Sequence, residues 1–240
     1  MEIKVNALVI KAIDYKESDR ILTLYSLEKG KITVGIKGVK KAGAKLRFAS
    51  EPFCFAEYIL AEKGGRYTVT SASYIDCFYD LRLSLEKYYY SAVVSDFLNV
   101  HTESDMPDPY LFDLAINTIK NICYQDDEKM YLANFLFKAI ENLGYGITNL
   151  NCDSCGEKIN GRVFFRCRDA SFCCESCRED NYIEIKKETY LALNLLKEEN
   201  LEVLKDLKDS IDKLFNFLIY YLTNKTEVEL KSVQAINSLN

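Results

Sequence analysis

Four cysteines arranged as two CxxC knuckles, Cys152-Asp-Ser-Cys155 and Cys174-Glu-Ser-Cys177, are the residues of this chain best suited to chemistry. Each knuckle offers two sulfurs from one tight turn, and the 18 residues between the knuckles can fold back to complete a tetrahedron around a single zinc ion. The one histidine, His101, lies far upstream, so a mixed Cys/His site is not expected. Cys173 adjoins Cys174 and would form the less common CxxxC knuckle with Cys177; Cys174 is the expected ligand and Cys173 the alternate. A redox dithiol or a set of buried free thiols is the competing reading. Four thiolates leave no open coordination position for water or substrate, so the expected zinc is structural.

A second set of residues suits polyanion binding. The 240 residues carry a formal net charge of -5, but the charge is unevenly placed. Residues 1–50 hold 11 Lys/Arg against 5 Asp/Glu, a net +6, which leaves -11 for the rest. A basic head on an acidic body is expected of a protein that meets nucleic acid through one domain. The candidate contacts are Lys11, Arg20, Lys31, Lys37, Lys40, Lys41, Lys45 and Arg47. Several fall on KITVGIK or in the following GIKGVKKAGAKLR. Strand alternation puts Lys31, Thr33, Gly35 and Lys37 on one face and Ile32, Val34 and Ile36 on the other, so the lysines are expected to project outward. Tyr15, Tyr25 and Phe48 are candidates for base stacking, with core packing as the alternative for each.

The elements that must position these residues follow from the hydrophobic pattern. Leu8–Ile13, Arg20–Ser26, Lys31–Lys37, Pro52–Leu60 and Arg66–Ile75 are β-branched or aromatic runs separated by turn-like segments. Five short strands with the longest link between the third and fourth predict an OB-fold barrel. After Asp80 the period becomes helical. Helices are expected over Leu85–His101, from Pro109 with Asp108 as cap, over Glu128–Leu143, and at about 187–199 and 202–223. Residues after Asn224 read as a tail. The predicted organisation is an α+β multidomain chain: an OB barrel at 1–80, a helical part at 81–147, a zinc-binding insert at 148–182 and a second helical part at 183–240.

Apolar residues make up 48% and charged residues 28%, the composition of an ordinary globular protein. No signal peptide and no apolar run long enough for a membrane span is present, so a cytoplasmic location is expected. Cys54, Cys77, Cys123 and Cys167 are scattered and read as free thiols of a reducing compartment. The sequence lacks a P-loop, HExxH or GxSxG pattern, and one histidine leaves little scope for acid–base chemistry; no enzymatic activity is expected.

Taken in order, Ala7-Leu-Val-Ile, Tyr15-Lys-Glu-Ser-Asp-Arg-Ile-Leu-Thr-Leu-Tyr, Glu28-Lys-Gly-Lys-Ile, Gly35-Ile-Lys-Gly-Val-Lys-Lys and Pro52-Phe resemble the N-terminal barrel of the RecO family of recombination mediators in bacterial DNA repair. The paired knuckles with Phe164-Phe165 between them resemble that family's zinc insert. The resemblance implies binding to single- and double-stranded DNA, strand annealing, and partnership with RecR in loading RecA onto strands coated by single-strand-binding protein. It also implies docking of that protein's acidic C-terminal tail on the helices, no covalent chemistry, and a nucleoid-associated location. Two other classes fit the composition: a non-catalytic protein–protein adaptor, and an RNA- or transcription-associated zinc-ribbon protein.

Overall fold

A computed structural model of the chain describes residues 2–237. The five apolar runs become β1 (Glu2–Tyr15), β2 (Asp19–Ser26), β3 (Gly30–Ile36), β4 (Phe55–Lys63) and β5 (Arg66–Asp76). They close into a barrel of order β1-β2-β3-β5-β4, in which β1 also pairs with β4 and β3 runs parallel to β5 at Val34↔Tyr67 and Gly35↔Thr68. This is the OB-fold arrangement. In β3, Ile32, Val34 and Ile36 are buried while Lys31, Thr33 and Gly35 are not, as period-two alternation requires. Val5, Ala7, Val9, Leu22, Leu24, Tyr58 and Leu60 complete the barrel core.

In β1, Ala7, Leu8, Val9 and Ile10 are buried as a continuous run. Helix α1 (Leu85–His101) packs against β1, so this strand is covered on both faces. Ser84 caps α1 by accepting a hydrogen bond from the Lys87 amide. Asp108 does the same for α2 (Pro109–Tyr124) through the Leu111 amide, with Pro109 in the first turn. Phe112 of α2 meets Tyr25 of β2 at 6.2 Å and Phe55 of β4 at 5.9 Å between ring centroids, an aromatic seam on the outside of the barrel.

The segment after α1 is stitched to the β2–β3 turn: the Asp105 amide donates to the Lys31 carbonyl, and Gly30 lies under Met106. Gly30 has φ +64°, and a Cβ there would run into the Met106 carbonyl. Gly30→Ala is therefore expected to cost on the order of 1–3 kcal/mol for the backbone conformation alone. Chemical denaturation should register this as a lower midpoint.

The chain forms two compact units. One holds the described residues up to Asp126 together with those from Leu230 onward; the other is Asp127–Glu229. The first gains α7 (Lys231–Asn237) where a tail is expected from the sequence; residues 238–240 of that expected tail lie outside the described residues. Leu230, Val233 and Ile236 are buried, and the Ser232 amide and hydroxyl both donate to the Asp96 carboxylate of α1.

The second unit contains α3 (Glu128–Ile140), a π-type turn at Glu141–Tyr145, the sheet strands β6 (Val163–Arg166), β7 (Ser171–Cys174) and β8 (Ile183–Ile185), and helices α4 (Lys187–Lys197), α5 (Leu201–Leu204) and α6 (Lys208–Thr226). The sheet order is β7-β6-β8. The expected helix at 202–223 is in fact two, because the chain turns at Lys205–Leu207 before α6 begins. Phe165 of β6 sits among Phe172, Phe217 and Tyr221 at centroid distances of 4.9, 5.0 and 5.5 Å, which packs the sheet onto α6. Tyr190 of α4 adds a ring 5.6 Å from Phe172 and donates its hydroxyl to the Leu150 carbonyl at 2.7 Å.

Candidate functional site

The first knuckle is a closed turn: the Gly156 amide donates to the Cys152 carbonyl at 2.8 Å and the Cys152 amide to the Glu157 carbonyl at 2.9 Å. A 2.8 Å bond from the Asp153 amide to the Phe172 carbonyl ties this turn to β7. The second knuckle begins at the last residue of β7 and continues through a short 3₁₀ turn, Glu175–Cys177. The result is that the sulfurs of Cys152, Cys155, Cys174 and Cys177 all lie within 4.8 Å of one another. A tetrahedral zinc with bonds of about 2.3 Å holds its sulfurs about 3.8 Å apart, so a small contraction closes the shell. Strand alternation separates the adjacent cysteines: Cys173 is fully buried opposite Phe164, while Cys174 joins the cluster.

The electrostatics of the cluster suit a cation. Against the opposing effect of burial, amide donors from Cys155, Cys174 and Ser154 and the neighbouring thiol hold Cys152 down to about 6. Hydrogen bonding to Cys174, burial and the thiols of Cys152 and Cys155 push Cys177 up to about 12. Thiolates packed this closely repel one another, and a positive ion among them offsets that repulsion. The donor set and geometry therefore fit a metal ion. The surrounding arginines are engaged elsewhere. Arg162 pairs with Glu175 and Glu184, and Arg166 with Asp169, while Arg162 and Arg178 lie over the Phe164 ring at 5.4 and 4.9 Å.

The other cysteines are free thiols: Cys54, Cys77 and Cys123 are buried and Cys167 half-buried. Cys54 and Cys77 are not scattered, however. They flank the Phe55↔Asp76 register pair, and hydrogen bonding between the two thiols raises Cys54 and lowers Cys77.

The basic residues of the barrel fall into two groups. Three are bound within the protein. Lys31 donates to the Asn99 and Thr102 carbonyls at the C-terminal end of α1, where a cation also complements the helix dipole. Its outward position on β3 leads to α1, not to solvent. Arg20 bonds Asp14, Glu51 and the Ser50 carbonyl, and Lys40 pairs with Asp14 at 2.7 Å. By contrast Lys11, Lys37, Lys41, Lys45 and Arg47 are exposed and make no ion pair or side-chain hydrogen bond among the described residues.

Four of these five lie on the β3–β4 link, which is not a loose loop. Its backbone is a train of turns sharing corner residues: Lys41 N to Gly38 O, Ala44 N to Lys41 O, Arg47 N to Ala44 O and Ser50 N to Arg47 O, at 3.2, 3.2, 3.1 and 3.1 Å. Buried Val39 and Ala49 pin it to the barrel, helped by bonds from Gly38 N to Asp19, Lys40 N to Ser18 O and Tyr58 OH to Ala49 O. Rigid spacing of cations lowers the ordering cost of gripping a phosphate chain. Sequence reasoning missed this order, although Val39 within the basic run signals an anchor. Of the aromatic candidates, Tyr25 is buried against Phe112, Tyr15 is exposed with the Lys16 ammonium 5.3 Å from its ring, and Phe48 is half-buried beside Tyr74.

A closed OB barrel followed by helices and a sheet closed by four thiols defines the class of protein. Residues 1–78 match the family described as Recombination protein O N terminal, and residues 82–234 match Recombination protein O C terminal. The chain belongs to the RecO family of DNA repair proteins. It is 26% identical to the DNA repair protein RecO of Acetivibrio thermocellus over 99% of this chain and 97% of that one. Against the DNA repair protein RecO of Bacillus pumilus it is 30% identical over 74% of this chain and 69% of the relative. The corresponding protein of Clostridium novyi is 25% identical, covering 98% of this chain and 94% of its own.

Proposed function

We propose that this chain is a non-catalytic recombination mediator whose barrel binds single- and double-stranded DNA and promotes annealing of complementary strands. With RecR it helps load RecA onto strands coated by single-strand-binding protein, whose acidic tail docks on the helices. Its place of work is the cytoplasm, at the nucleoid; among the described residues no helix is long and apolar enough to cross a membrane. One zinc ion, held by Cys152, Cys155, Cys174 and Cys177, stabilises the second unit.

The observation that carries this reading is the run of cations Lys37, Lys41, Lys45 and Arg47, unpaired among the described residues, on an ordered, barrel-anchored link, with Lys11 exposed on β1. Cations without internal partners are free to displace counterions from phosphate, and a surface that neutralises two polyanions lowers the repulsion that opposes pairing. Arg20, Lys31 and Lys40 act one step back, holding the strands and the link in place through the contacts described above.

Lys41→Ala combined with Lys45→Ala should weaken oligonucleotide binding and flatten its dependence on salt. For single strands each phosphate contact contributes a slope of about 0.7 in log K against log salt, so the double variant should lose about 1.4. Fluorescence anisotropy across a salt series measures both quantities. An unchanged slope, or no binding by the parent protein at low salt, would favour a protein–protein adaptor instead.

A further inference from the structure

We propose that Tyr74, backed by Phe48, is a nucleobase-stacking platform for single-stranded DNA whose phosphates lie on Lys45 and Arg47; this rests on the DNA-binding reading above. Tyr74 sits near the end of β5 and is 64% exposed, against 48% for Tyr15 of β1. Its register partner on β4 is Ala56, which is fully buried in the barrel core. Residues opposite one another in an antiparallel pair point to the same face. Tyr74 therefore continues the core-facing row of β5 beyond the filled interior and emerges beside the β3–β4 link that packs against the core there.

On that link it meets Phe48, with ring centroids 6.2 Å apart and planes inclined at 59°. Phe48 is itself packed against the barrel core and belongs to the 3₁₀ turn Phe48–Ser50 that closes the train of turns. The inclined ring supports Tyr74 without covering it. Arg47 and Lys45 precede Phe48 by one and three residues, and both are exposed and unpaired among the described residues. An aromatic face flanked by free cations on a fixed backbone is the combination that single-strand binding uses: every base has a π-face, and the cations hold the connecting phosphates. Duplex bases are already stacked on one another and present no free face, so Tyr74 serves the single strand alone.

The test compares variants of the full chain on single-stranded and duplex oligonucleotides. Tyr74→Ala should weaken single-strand binding about tenfold, leave duplex binding unchanged and leave the salt slope unchanged, because no charge is removed. Tyr74→Phe should retain parental affinity. Lys45→Ala with Arg47→Ala should weaken both substrates and flatten the slope. A 5-iodouracil-substituted single strand should photo-crosslink to Tyr74, located by mass spectrometry. Parental single-strand affinity in Tyr74→Ala while the cation variant loses its slope would overturn the stacking site and leave the DNA-binding reading standing. Equal weakening on both substrates would also overturn it, and a parent that binds no DNA would remove both readings together.

Discussion

Replacing Cys152 with serine is expected to release the metal and unfold the sheet of the second unit. Strands β6, β7 and β8 have 4, 4 and 3 residues, too few to hold a sheet by their own hydrogen bonds. What fixes them is the ring cluster around Phe165 on one side and the thiol cluster at the end of β7 on the other. Structural zinc contributes roughly 10–16 kcal/mol of apparent binding free energy in small zinc-dependent folds. That matches or exceeds the roughly 5–15 kcal/mol net stability of a whole domain. Elemental analysis should find one zinc per parent chain and none in Cys152→Ser. Hydrogen exchange should lose protection over 163–166 and 171–174 in the variant, and in the parent after chelation, while the barrel strands stay protected. Cys173→Ser is the control: its thiol is buried opposite Phe164, outside the cluster, and burial with the neighbouring thiols pushes it up to about 11. It should lose packing but keep the metal. A metal-free parent with an intact, equally stable sheet would defeat the prediction.

The cysteine cluster was legible because knuckle spacing is a local property: two residues between thiols make a turn whatever the surroundings. The same holds for Asp108 and Pro109, which mark the start of α2 through backbone groups only three residues apart. Contacts between distant residues were not legible. Lys31 obeys the alternation of β3, but alternation says only which face a side chain takes. It does not say that the end of α1 lies there to receive the ammonium. Asp14 binding both Arg20 and Lys40 is equally invisible from a charge count, and it gives two of the eight candidate cations a partner within the chain. Tyr74 was overlooked for a related reason. Within RYTVTSASYI it reads as one more ring of an alternating strand, and only the closure of the barrel shows that the core ends before it. The break between α5 and α6 left no mark either, since Lys205-Asp-Leu-Lys contains neither glycine nor proline and the leucine period runs on across it.

Deleting residues 230–240 is expected to cost about 5 kcal/mol, although a sequence reading assigns them to a tail. Helix α7 has 7 residues, too short to be stable in isolation, so its order comes from packing. Three buried apolar side chains, Leu230, Val233 and Ile236, contribute roughly 1.5–3 kcal/mol each when removed from water, less the cost of ordering the segment. The Asp96 carboxylate accepts from both the amide and the hydroxyl of Ser232 at 3.0 and 3.1 Å, which satisfies a donor that the start of a helix otherwise leaves unpaired. This anchor separates two explanations of any loss. Asp96→Ala removes the anchor alone and should cost about 1 kcal/mol, whereas Val233→Asp inserts a charge into the buried face and should approach the effect of the deletion. Urea denaturation would rank the three variants, and hydrogen exchange along α1, on which α7 packs, should rise in the same order. If deletion leaves the midpoint and the exchange of α1 unchanged, α7 does not hold the first unit together, and the buried positions of Leu230, Val233 and Ile236 contribute nothing to its stability.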